Sequence, residues 1–229
     1  MRARKEAAPW WAITKAKAAG PSSSMYARGI FEHPANFVPP PFRFVDGDGF
    51  RGVNAVTASG TRVPTDNLQL RGAVYVNGSC TRHPIREMSR ASFAVVMCNS
   101  RGEEVISVTA PVWANLPQTP QASEYCAAAA AIELIGPQAV VHSDCSNVVR
   151  DMKAPFAVGT SARKVYAGVT RGARTSLNFP RLGDFVKVPA HVKITDELQG
   201  QARVRAVGND CADRRAKEAI HCVTSSPPR

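Results

Sequence analysis

Three carboxylates stand at the ends of regular elements. Glu124 opens an alanine-rich helical run, Asp144 closes the apolar stretch Ala139 to Ser143, and Asp213 lies one turn into the last helical stretch. His191 follows a fifth strand-like run, beside Pro189. Each has a plain structural explanation. An acid near a helix N-terminus is favoured by the dipole. Asp144 suits an N-cap for Cys145 to Met152, Asp213 stands i,i+4 from Lys217, and His191 suits a loop. Taken together they suggest chemistry. Open α/β sheets bind ligands at their carboxyl edge. Carboxylates meeting there repel one another unless a cation is present, and hard oxygen ligands suit Mg2+ or Mn2+. Two such ions, about 4 Å apart, would hold a phosphodiester and activate water for in-line attack.

The elements that must position these residues follow from periodicity and punctuation. Residues 69–82 read as a strand running into a tight Asn77-Gly78 turn. Residues 91–98 and 103–110 read as two more strands, joined through Asn99-Ser100-Arg101-Gly102, so the sheet starts antiparallel. After Pro117 and Pro120 the period changes to that of a helix, stopped by Gly136-Pro137. Residues 139–143 are a short buried strand, and the long connection before them implies a parallel pair. Cys145 to Met152 is a short helix. Ala162 to Arg174 suggests a helix with a basic face, Phe185 to Val188 a strand, and Asn209 to Cys222 the final helix, with a flexible stretch before it. The expected closure is an α/β fold, a mixed five-stranded sheet flanked by helices. Residues 1–68 read as an irregular extension, 69–223 as the domain and 224–229 as a loose tail.

Composition narrows the partners. The chain has 229 residues, 44% of them hydrophobic, a net charge of +11 and a pI near 9.8. That balance favours a polyanion, nucleic acid first. Residues 153–184 carry six basic side chains against Asp184 alone. No run approaches the roughly 20 apolar residues of a membrane span, so no membrane partner is expected. Six cysteines without a CxxC pair read as reduced thiols in a cytoplasmic or nuclear compartment. The basic first 28 residues leave an organelle transit peptide as the other option.

Five segments, in order, resemble the ribonuclease H type 1 family. Tyr75-Val76-Asn77-Gly78-Ser79-Cys80 is similar to its first-strand motif, in which Asp-Gly-Ser is usual. Ser123-Glu124 resembles its glutamate helix, and His142-Ser143-Asp144-Cys145-Ser146-Asn147-Val148-Val149 its second aspartate. Val188-Pro189-Ala190-His191 resembles its histidine loop, and Gly208-Asn209-Asp210-Cys211-Ala212-Asp213 its last acidic motif. The resemblance implies a ribonuclease H-like fold and endonucleolytic hydrolysis of RNA in RNA/DNA hybrids with two Mg2+ ions, Mn2+ substituting. Glu124, Asp144 and Asp213 would be metal ligands and His191 would move a proton or release product. Asn77 falls on the family's fourth, bridging carboxylate. An amide oxygen brings no charge, so the implied activity is impaired. Gly78, Ser79 and Ser146 are implied nucleic-acid contacts. Arg163, Lys164, Arg171 and Arg174 lie where some members carry a basic protrusion. The alternative is a non-catalytic hybrid- or nucleic-acid-binding module derived from a retroelement. The partner expected is the hybrid, bound by a monomeric domain or by part of a larger retroelement protein.

Overall fold

The computed structural model describes residues 53–81, 89–113 and 116–224, with side chains as far as 220, and Thr14, Lys17, Ala18 and Gly20. The chain divides into two units, Met1–Pro40 and Pro41–Arg229. In the first, Thr14, Lys17 and Ala18 are helical. The second holds a sheet of order β1-β4-β3-β2-β5-β6. Its strands are β1 (Asn54–Thr57), β2 (Ala73–Thr81), β3 (Arg90–Cys98), β4 (Glu104–Pro111), β5 (Ala139–Ser143) and β6 (Leu182–Lys187). Its helices are α1 (Pro120–Leu134), α2 (Ser146–Lys153), α3 (Phe156–Gly159), α4 (Ala167–Thr175) and α5 (Gly200–Thr224). The strands β1 to β4 pair antiparallel, and β2, β5 and β6 run parallel.

The sheet therefore has six strands where the sequence suggests five. The extra strand, β1, comes from the stretch read as irregular. It is four residues long with polar ends, too short to show alternation, and its pairing with β4 (Asn54↔Thr109 to Thr57↔Ile106) defines it.

The second difference concerns Asn77-Gly78. The pair is not a turn. β2 runs straight through it, with Asn77 opposite Ala94 and Gly78 opposite Phe93. The glycine is there for space. A Cβ on Gly78 would meet Ser123 Oγ at 2.2 Å and the Glu124 backbone nitrogen at 2.6 Å. Helix α1 thus lies almost on the backbone of β2.

That close approach follows from the composition of α1. Thr119 caps it, its Oγ1 accepting the Ala122 N–H at 3.1 Å, and Pro120 occupies its first turn. Ala127 to Ala131 are all buried, small enough to let the helix settle on Val74, Val76, Phe93 and Val95. On another flank, α5 is fastened to β3 and β4. Ser92 Oγ donates to the Ala216 carbonyl at 2.5 Å, and Arg215 pairs with Glu104 at 2.7 Å. Gly208 lies against the Tyr75 ring, where a Cβ would approach to 2.3 Å. The helix begins at Gly200, nine residues before Asn209, so part of the expected flexible stretch is helical. The expected Ala162–Arg174 helix is shorter, beginning at Ala167, with α3 before it.

Candidate active site

Helix α1 brings Glu124 to the middle of β2, where its Oε1 accepts the Gly78 N–H at 3.1 Å. Asp144 follows the end of β5. Its Oδ2 accepts from Asn209 Nδ2 at 3.1 Å and from Asn77 Nδ2 at 3.5 Å. Asn77 is 4% exposed. Asp144 is not an N-cap. Cys145 holds that position, with no side-chain cap bond. Glu124 lies outside the first turn of α1, so the dipole explanation does not apply to it. Asp213 keeps the ion pair expected of it, its Oδ2 lying 2.5 Å from Lys217 Nζ.

Burial, then the neighbouring Asp144 and Asp213 carboxylates, push the Glu124 carboxyl up to about 8, against the pull of the Gly78 N–H and Lys187. Lys187, at the end of β6, donates to the backbone carbonyls of Asp144 and Val188, placing an ammonium at this edge. Among the described residues, no set of three or more His, Cys, Asp or Glu side chains is gathered so as to hold a metal ion. One observation nevertheless fits a cation. Glu124 Oε2 is buried with no hydrogen-bond partner, a bare acceptor beside a second carboxylate.

His191 is exposed, in the left-handed region at φ 49°. No hydrogen bond or ion pair joins it to the three acids among the described residues. Such a backbone is uncommon outside glycine, with histidine among the more tolerant residues.

The expected nucleic-acid contacts separate. Ser146 is exposed at the start of α2 and Arg163 is exposed in the loop before α4. Ser79 is half-buried on β2. The Gly78 N–H is already taken by Glu124. Lys164 is 2.5 Å from Asp151, a carboxylate only 2% exposed that also accepts from Tyr125 Oη at 2.7 Å. Arg171 donates to the Thr160 carbonyl at 3.3 Å. Arg174 donates to the carbonyls of Ala154 and Asp151 and lies over the Phe156 and Phe179 rings. Three of the four basic residues therefore hold α2, α3 and α4 together. Sequence reasoning passed over Asn209 as a site residue, although it stands i,i+4 from Asp213 on α5. It also passed over Lys187, a lone lysine closing an apolar run.

No protein-family model matches the sequence, and no curated protein matches it. Among solved structures, the ribonuclease H domain of prototype foamy virus superposes with a TM-score of 0.52 at 18% identity, over 67% of this chain and 96% of that one. The protease-reverse transcriptase of the same virus is similar at 17% identity and a TM-score of 0.49, over 72% of this chain and 22% of that one. The LC11 ribonuclease H1, solved in complex with an RNA/DNA hybrid, gives 21% identity and a TM-score of 0.40, over 67% and 99%. The chain has a ribonuclease H-like α/β fold, as its five motifs imply.

Proposed function

We propose that the chain is a ribonuclease H-type domain that engages RNA/DNA hybrids and whose hydrolysis of the RNA strand is held back by Asn77. The observation that carries this reading is the meeting of Asn77, Glu124 and Asp144 at the middle of β2, on a fold shared with ribonuclease H domains. Glu124, Asp144 and Asp213 are the groups that would hold Mg2+ or Mn2+, with Asn77 beside them. Bound there, two such ions would supply an activated water and a charge on the leaving oxygen.

The chain's own residues set the limits. Asn77 offers Asp144 an N–H donor where a carboxylate would offer a further negative charge. Glu124 holds its proton near neutrality and must release it before it can act as a ligand. Asp213 must exchange Lys217 for a new partner. A site in this condition binds cations weakly, and loss of a charged group from it costs orders of magnitude in rate.

A second reading, a hybrid-binding module without turnover, draws on a separate observation. Two amide donors already satisfy Asp144 Oδ2 without a cation. The test is an RNA-labelled hybrid incubated with Mg2+ or Mn2+, beside the matching RNA and DNA duplexes. Slow, metal-dependent cleavage confined to the hybrid is expected. Tight hybrid binding with no product moves the assignment to the second reading, and no preference for the hybrid removes both.

A further inference from the structure

Helix α5 carries four arginines among its described residues, and three have partners. Arg203 donates to the Thr195 carbonyl at 3.0 Å, and Arg214 and Arg215 pair with Glu104 and Glu218. Arg205 has no hydrogen bond or ion pair among the described residues. It is half-buried, and its Nε is wholly buried without a partner. A buried guanidinium N–H without a partner is costly unless an acceptor meets it.

Its surroundings are polar and only partly satisfied. Tyr75 lies along the same turn of α5, with its hydroxyl on the Val204 carbonyl at 3.5 Å and its ring against Gly208. His142 stacks on Tyr75 with ring centroids 4.6 Å apart, and its Nδ1 is buried without a partner. Asn209 follows Arg205 at i+4. It reaches Asp144 through Nδ2, while its Oδ1 is also buried and unpartnered. Thus one side of α5 joins a free guanidinium to the carboxylate site over one helical turn of about 5.4 Å.

We propose that Arg205 is a phosphate site that holds the backbone of a bound nucleic acid next to Asp144. Guanidinium and phosphate match in charge and in the geometry of paired donors. A turn of helix is on the order of the spacing between neighbouring backbone phosphates. The site therefore takes a phosphodiester beside the one at the carboxylates. This rests on the proposed function, and it replaces Lys164, Arg171 and Arg174, which are engaged internally, as the source of backbone contacts.

Hybrid binding is measured by fluorescence anisotropy in chelator, so that no cleavage intervenes, between about 50 and about 200 mM salt. Arg205→Met keeps the aliphatic stem, and Arg205→Lys keeps the charge. The Met variant is expected to bind more weakly and to lose about one unit of the log–log salt slope, with Arg205→Lys largely restoring the slope. An unchanged slope and affinity in a folded Arg205→Met overturns the proposal while leaving the hybrid-binding reading intact. Inorganic phosphate provides an arm that does not depend on that reading. It is expected to raise the melting temperature of the wild-type chain more than that of Arg205→Met. Equal shifts overturn the site. Should phosphate bind at Arg205 while hybrids do not bind at all, the anion site stands and its assignment to nucleic acid falls.

Discussion

Asn77 concentrates the physics of the site. Its amide stands 3.5 Å from Asp144 and beside the Glu124 carboxyl, so Asn77→Asp places like charges together in a buried position. Without a divalent ion we expect that variant to lose stability, on the order of 2 kcal/mol, and to regain it with Mn2+, read by chemical denaturation with and without the ion. The residue types of the acids were legible, since metal chemistry needs acids at element ends. The Asp213–Lys217 pair was legible too, from its i,i+4 spacing. That Asp144 meets two amides was not, since it depends on side-chain directions that no periodicity records.

The raised Glu124 carboxyl has a definite consequence. A carboxyl whose folded pKa lies above its unfolded value binds more protons when folded, so its contribution weakens as pH rises from about 4.5 to about 8. Glu124→Gln should therefore flatten the fall in stability over that range and add about 1–2 kcal/mol at its alkaline end. His142 works in the opposite sense. Its folded pKa is lowered to about 4, so the unfolded chain takes up its proton first and stability is lost as pH falls from 6.5 toward 4. Melts across the pH range, with Glu124→Gln beside the wild type, check both signs. A variant curve parallel to the wild type above pH 5 would contradict the assignment of Glu124.

At the scale of elements, helix α1 and strand β2 depend on one glycine. Gly78→Ala drives a methyl group into Ser123 and the Glu124 backbone. We expect a loss of about 1–3 kcal/mol and displacement of Glu124, seen as a lower melting point together with a changed pH dependence. The Asn-Gly pair illustrates how local signals mislead. The dipeptide favours a hairpin turn, yet the approach of a polyalanine helix also requires glycine, and only the tertiary fold decides between them. The basic stretch is in part taken up by packing. Its arginines look like a phosphate surface in sequence, but Arg174 closes over Phe156, Phe179 and two carbonyls. Arg174→Ala should cost about 1–3 kcal/mol of stability while leaving the salt slope of hybrid binding unchanged.

Over the whole molecule, the antiparallel start and the mixed character of the sheet were legible in the sequence, because the apolar runs are long and well punctuated, whereas the placing of β5 beside β2 was not. The sixth strand was not. β1 covers β4, so a chain starting at residue 69 leaves the edge of β4 bare. Bare edges invite association. Residues 69–224 should melt lower and aggregate sooner than 53–224, as light scattering during a thermal ramp would show. None of the helices among the described residues is long and apolar enough to cross a membrane.

The proposal most in need of a test is that Asn77 limits hydrolysis at a ribonuclease H-type site formed with Glu124, Asp144 and Asp213. The measurement that meets it most directly is the rate of hybrid cleavage by the wild-type chain and by Asn77→Asp, side by side in Mg2+ and Mn2+. A gain of at least about 100-fold in the variant is predicted, on the scale of restoring one catalytic group. Equal rates in the two proteins would contradict the claim, since the amide would then be serving as well as the carboxylate it replaces.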